Sequence, residues 1–171
     1  LRGACRHDIH PTLGRTTTAE LDSLDVILFK RSNMNFVRTS HYPPTERFLE
    51  YCDRYGIYVV DEANVESHGM GYGDNTLAKA PAYAQAHMER NRRMVLRDKN
   101  HPSVIIWSMG NESAYGCTFE EALAWTKSFD PRRLTHYESA QYRSKNRKYD
   151  FSNIDMFSNM YPSLESIQEY L

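Results

Sequence analysis

Two runs in this chain are apolar at nearly every position: Ile57-Tyr58-Val59-Val60-Asp61 and Val104-Ile105-Ile106-Trp107-Ser108. A strand with one solvated face alternates apolar and polar residues. A strand that is apolar throughout must be covered on both faces, as in a parallel sheet packed against helices. Weaker strand candidates are Asn35-Phe36-Val37-Arg38, Leu134-Thr135-His136-Tyr137 and Ile154-Asp155-Met156-Phe157.

Helical patterns lie between these runs. Thr17 and Glu20 have the spacing of a capping box, and Leu21, Leu24, Ile27 and Leu28 follow at helical intervals. Pro43-Pro44-Thr45 opens a second helix carrying Phe48, Leu49 and Cys52, with Gly56 as its stop. A third runs from Pro81 to Asp98 with Met88, Val95 and Leu96 on its buried side, and a fourth from Thr118 to Phe129, ended by Asp130-Pro131. Alternating strands and helices imply an α/β fold with a parallel sheet. It closes either as an open doubly wound sheet or as a (β/α)8 barrel. No glycine-rich phosphate loop follows the first strand, which disfavours a nucleotide-binding open sheet. The polar clusters fall just after strand ends, at 38–41, 61–68 and 111–112, where barrel enzymes keep their sites. A full barrel takes about 250 residues, so the expectation is an incomplete TIM barrel of about five or six βα units.

The chain has 171 residues, 40% hydrophobic and 25% charged, with a formal net charge of −1. That balance gives no reason to expect a nucleic acid or an anionic membrane as partner. No apolar run approaches the roughly 20 residues of a membrane span. Cys5, Cys52 and Cys117 lack metal-site spacing and read as reduced thiols, favouring a reducing, cytoplasmic compartment. The start at Leu1 reads as the interior of a longer protein, which leaves periplasmic or secreted placement open.

Four clusters carry possible chemistry. In Trp107-Ser108-Met109-Gly110-Asn111-Glu112, an apolar strand runs into a carboxylate with a side-chain amide beside it. A glutamate held there can act as a proton donor, with Asn111 bonding a sugar hydroxyl; alternatively Glu112 is a helix N-terminal acid and Asn111 its cap. In Glu62-Ala63-Asn64-Val65-Glu66-Ser67-His68, Glu66 and His68 are placed to share an ion, and an oxygen-rich donor set suits magnesium. A hydrogen-bonded loop is the other reading. The remaining two are Arg38-Thr39-Ser40-His41-Tyr42-Pro43 and Arg6-His7-Asp8-Ile9-His10-Pro11, either of which could equally be structural.

Taken together, these segments resemble glycoside hydrolase family 2 and, within it, the β-galactosidases. The likeness is also carried by Gly14-Arg15, Cys52-Asp53-Arg54-Tyr55-Gly56, Asp61-Glu62-Ala63-Asn64, Arg97-Asp98-Lys99-Asn100-His101-Pro102-Ser103, Asp130-Pro131-Arg132-Arg133 and Tyr137-Glu138. It implies the following roles. Glu112 is the acid/base, and Asn111 binds the sugar 2-hydroxyl. His7 and His41 line the sugar subsite. Arg38 holds the nucleophile's carboxylate, and Tyr161 hydrogen-bonds that nucleophile. Glu66, His68 and Glu112 ligate magnesium. The reaction implied is retaining hydrolysis of terminal β-galactosides by a homo-oligomeric parent. Cys5, Ile9 and Ser67 depart from the family pattern without removing a proposed catalytic group. The nucleophile is implied to be a second glutamate at the end of a later strand. Glu165 and Glu169 follow no strand and read as helix residues, so residues 1–171 are expected to form the N-terminal part of the catalytic domain. The nucleophile, the last strands and flanking β-sandwich domains would lie beyond it. β-Glucuronidase, β-mannosidase and a catalytically silent sugar- or metal-binding module are the competing readings.

Overall fold

The computed structural model describes residues 1–142 and 147–170. Five strands, β1 (Gly3–Arg6), β2 (Phe36–Thr39), β3 (Tyr58–Glu62), β4 (Val104–Ser108) and β5 (Leu134–His136), form one sheet in the order β1-β2-β3-β4-β5. All four pairings are parallel. The first four crossovers carry α1 (Ala19–Arg31), α2 (Glu46–Tyr55), α3 (Ala84–Asp98) and α4 (Cys117–Phe129). A doubly wound sheet reverses its strand order at a switch point. Here each strand lies beside its predecessor, so right-handed crossovers put these helices on one face of the sheet. That is the winding of a TIM barrel, and the described residues supply five of its strands. Among the described residues no helix is long and apolar enough to cross a membrane.

Register assigns the two faces. Arg38 aligns with Val60, Val60 with Ile106, Glu62 with Ser108, and Ser108 with His136. These side chains share the face away from the helices. The alternate residues Val37, Val59 and Trp107 are fully buried in one cluster with Val26, Phe48, Leu49, Cys52, Val95, Phe119 and Leu123. Trp107 donates its indole N–H to Asp130 Oδ2 at 3.2 Å, which satisfies the one polar atom of a ring buried under α4.

α2 forms as its sequence dictates. The Thr45 hydroxyl accepts the Phe48 N–H, and Gly56 ends the helix at φ +67°, where a side chain would be strained. α1 differs from the expected pattern. Thr18 rather than Thr17 is its cap, and Leu24 and Leu28 are both 48% exposed. The buried positions are Asp22 and Val26. Asp22 is drawn inward by Arg6 at 2.7 Å and by the Thr45 hydroxyl at 2.8 Å, and these bonds set the rotation of the helix. α3 begins after a 3₁₀ turn at Pro81–Tyr83 and buries His87, Asn91, Met94 and Val95, whereas Leu96 faces outward.

The expected strand at 154–157 is absent. Asp155 lies beside β5, but its carboxylate takes the Thr135 N–H at 2.8 Å and the Thr135 hydroxyl at 3.0 Å. A side chain thus occupies the place of a ladder partner. β1 was not an expected strand, since Gly3-Ala4-Cys5-Arg6 holds no β-branched residue; its pairing with β2 defines it. Glu165 and Glu169 lie on the short helix α5 (Leu164–Tyr170). The cysteines are free thiols, with Cys52 buried and Cys5 exposed.

Candidate active site

The C-terminal ends of β2, β3, β4 and β5 converge on one network. Glu62, whose side chain is wholly buried, accepts Arg38 Nε at 2.6 Å and Arg38 Nη2 at 2.9 Å, and its Oε1 lies 2.7 Å from His41 Nδ1. The Ser108 hydroxyl donates to Glu62 Oε2 at 2.7 Å. With that proton committed, Ser108 Oγ accepts from His136 Nδ1 at 2.9 Å, which fixes the imidazole tautomer. Burial lowers the His136 pKa to about 4, so the ring is neutral at neutral pH. Arg38, Glu62, Ser108 and His136 each occupy the last inward position of their strands, and His41 lies just beyond β2. The signal in the sequence was a polar residue closing an apolar strand, but Glu62, Ser108 and His136 were not singled out.

Arg38 also donates to Asn111 Oδ1 at 2.9 Å, and Asn111 Nδ2 donates to Glu66 Oε1 at 3.3 Å. The amide is therefore oriented by a cation on one side and a carboxylate on the other. Val65 O accepts the Asn111 N–H at 2.9 Å, bringing the loop after β3 against the loop after β4. Gly110 permits this approach: at φ +149°, an added Cβ would stand 2.5 Å from Val65 O. The Ser113 hydroxyl ties the same loops, accepting the Ser67 N–H and donating to Asn111 O, both at 2.8 Å.

Glu112 sits in this turn at φ +36°, and Ala114 follows at φ +59°. Positive φ is costly for residues with a side chain and persists only where surrounding contacts enforce it. The contacts come from the chain after β5. Glu138 Oε1 accepts the Glu112 N–H at 2.5 Å, while the Tyr137 hydroxyl accepts the Ser113 N–H at 3.1 Å and donates to Ala114 O at 2.7 Å. Burial raises the Glu138 pKa above the usual carboxylate range. Burial, with the nearby Glu112 and Glu138 charges, pushes the Tyr72 phenol up to about 12.

The Glu112 side chain remains 19% exposed, with Oε2 2.7 Å from His68 Nδ1. Glu66, His68 and Glu112 each place a ligand atom within 4.8 Å of the others. Two carboxylates and one imidazole, open to solvent on one side, suit a hard divalent cation that keeps waters of its own. His7 lies beside His41, ring centroids 5.3 Å apart and nearly perpendicular, and burial lowers its pKa, helped by the His41 charge. Its neighbours Arg6 and Asp8 are structural: Arg6 binds Asp8, Asp22 and Asp25 and stacks on Phe48.

The structure thus brings Arg38, His41, Asn111, Glu112, Glu66 and His68 together, with His7 at the margin. It does not bring Tyr161 to them. That side chain is 93% exposed, and it hydrogen-bonds to nothing among the described residues. Glu138, a closing motif in the sequence with no role assigned, is the other residue that sequence reasoning missed.

Comparison with known proteins agrees with this geometry. The profile for "Glycosyl hydrolases family 2, TIM barrel domain" matches residues 1–171. The β-galactosidase of Photobacterium profundum is 51% identical over 138 residues, covering 81% of this chain and 13% of that protein. The β-galactosidase of Staphylococcus xylosus is 41% identical over 177 residues, covering 99% and 18%. Among solved structures, the β-glucuronidase of Faecalibacterium prausnitzii superposes with a TM-score of 0.65 at 34% identity, covering 80% of this chain and 24% of that one. The chain spans 13–20% of the length of the curated relatives it matches. It belongs to glycosyl hydrolase family 2, as a part of that family's TIM-barrel domain whose described residues form five strands.

Proposed function

We propose that the protein carrying this chain is a retaining β-galactosidase in which Glu112 is the general acid and base. The observation that carries the proposal is the setting of Glu112. It is a partly exposed carboxylate fixed in a strained turn at the C-terminal edge of the sheet, beside an oriented amide and a cation-suited donor set. Galactose is favoured because the relatives named β-galactosidase reach 51% identity, against 34% for the glucuronidase structure.

In this reading Glu112 protonates the glycosidic oxygen as it departs, and later takes a proton from the water that releases the sugar. A second carboxylate attacks the anomeric carbon from the far side, about 5–5.5 Å from the first. Glu62 is unsuited to that attack, since both its oxygens are engaged beneath Arg38, His41 and Ser108. We assign the nucleophile to a later strand of the barrel. Asn111 spends one amide proton on Glu66 and has another for the sugar 2-hydroxyl, a bond that helps most if it strengthens in the oxocarbenium-like transition state. His41 turns Nδ1 to Glu62, leaving Nε2 for a sugar hydroxyl, with His7 beside it. Glu66, His68 and Glu112 would hold a magnesium ion, which when bound supplies positive charge next to the acid/base.

The stereochemistry of the product tests the mechanism. Proton NMR of the first minutes of aryl β-galactoside hydrolysis is expected to show β-galactose ahead of mutarotation. Initial formation of the α-anomer would exclude a retaining mechanism.

A further inference from the structure

Glu138 is buried, at 2% exposure, and stands in the loop just beyond β5, whereas Glu112 lies in the turn after β4. Its Oε1 receives the Glu112 main-chain N–H and the Ser139 hydroxyl. Its Oε2 is buried without a hydrogen-bond partner among the described residues, so its contacts concentrate on the first oxygen. The recipient of that bond is the residue at φ +36°, whose backbone needs an external constraint to stay there. Tyr137, its neighbour in sequence, clamps the next two peptide groups at Ser113 and Ala114. The segment after β5 therefore holds three successive residues of the turn after β4.

We infer that Glu138 is a positioning residue for glycoside cleavage, acting as the main-chain clamp that aims the Glu112 carboxylate at the glycosidic oxygen. The inference rests on Glu112 being the acid/base. A carboxylate swung by a change in its own φ moves relative to a substrate held by Asn111 and His41, and misplacement by about 1 Å can cost about a hundredfold in rate. In kcat/KM, which reads the steps up to departure of the leaving group, only proton delivery to that group would suffer. A glycoside whose leaving group departs without help would be cleaved nearly as before.

The test compares methyl β-galactoside, a poor leaving group, with 2,4-dinitrophenyl β-galactoside, a good one, in the protein expressed from its full reading frame. Glu138→Asp withdraws the acceptor by one methylene. It is expected to lower kcat/KM for the methyl glycoside by about ten- to a hundredfold, and for the dinitrophenyl glycoside by no more than about threefold. Glu138→Gln keeps an acceptor at full reach and is expected to hold the ratio of the two rates within about threefold of the parent. A merely structural role would lower both substrates together. Equal losses in Glu138→Asp, no loss at all, or a large shift of the ratio in Glu138→Gln would each overturn the inference. Should Glu138→Asp not fold, Glu138→Ser takes its place with the same expected and contrary outcomes, and the nearly isosteric Glu138→Gln still overturns the inference if its ratio shifts. Glu112→Gln, assayed alongside, separates the two ideas. If it discriminates between the substrates and Glu138→Asp does not, the clamp is wrong and the acid/base stands. If Glu112→Gln does not discriminate, the acid/base reading fails and the clamp falls with it.

Discussion

Arg38 grips Glu62 with two hydrogen bonds, Nε to Oε2 at 2.6 Å and Nη2 to Oε1 at 2.9 Å, while the same guanidinium holds Asn111 Oδ1 at 2.9 Å. The carboxylate is completely buried and the guanidinium mostly so. Removing one partner of such a pair leaves the other charge desolvated and unmatched. Glu62→Ala is expected to destabilise the protein by about 3–5 kcal/mol, read from its urea midpoint. It should also slacken Asn111, and so lower kcat. A loss under about 1 kcal/mol would mean that Arg38 finds other partners easily.

Replacing Glu112 by Gln leaves the shape of the turn and removes the proton. General acid/base assistance is worth typically 10²–10⁴-fold, and about that loss is expected for alkyl galactosides. Activated aryl galactosides should lose far less in their first step. Values of kcat/KM, which report that first step, check this on both substrate classes, and equal losses would contradict the acid role.

The donor set of Glu66, His68 and Glu112 makes magnesium removal a second lever. A ligand present at 100 times its dissociation constant stabilises the folded state by about 2.7 kcal/mol. Chelation is therefore expected to lower both the melting temperature and the rate, with restoration on adding magnesium. Glu66→Ala should show the lower values from the outset and respond little to either treatment. Calorimetric titration of the chelated protein with magnesium reads the binding directly. Absence of a binding isotherm would remove the assignment.

Asp61 predicts how stability depends on pH. It is fully buried on the helix side of β3, against Asp98, with Arg97 bound to Asp98 at 2.7 and 2.8 Å and Thr39 near its Oδ1. Burial, then the Asp98 charge, raises its pKa well above the usual value. The folded state thus keeps a proton that the unfolded chain releases above about pH 3.9. Stability from this group is full below that value and declines as pH rises toward the folded pKa, by up to about 1.4 kcal/mol per pH unit. Asp61→Asn is expected to flatten that part of the profile. Urea midpoints at several pH values from acid to neutral check it, and an unchanged slope would show that another group carries it.

Much of this architecture was legible in the sequence, because strands covered on both faces leave an unmistakable apolar run. β3 and β4 fall where Ile57–Asp61 and Val104–Ser108 indicated. α2 follows from Thr45 and Gly56 through local capping chemistry. The errors came from long-range pairing. The face that α1 buries depends on an ion pair between Asp22 and Arg6, which no periodicity reveals. The site has the same division. Polar residues at strand ends marked Arg38, His41, Asn111, Glu112, Glu66 and His68. The partners that orient them, Glu62, Ser108, His136 and Glu138, acquire meaning only once parallel register sets neighbouring strands side by side.

The central claim is the cleavage of β-galactosides, and the most direct measurement is kcat/KM of the protein expressed from its full reading frame on 4-nitrophenyl β-galactoside, β-glucuronide and β-mannoside. A site built to hydrogen-bond one arrangement of sugar hydroxyls rejects a sugar that lacks it by several kcal/mol, so the galactoside is expected to lead by at least about a hundredfold. A preference for the glucuronide or the mannoside, or hydrolysis of none of the three, would contradict the account.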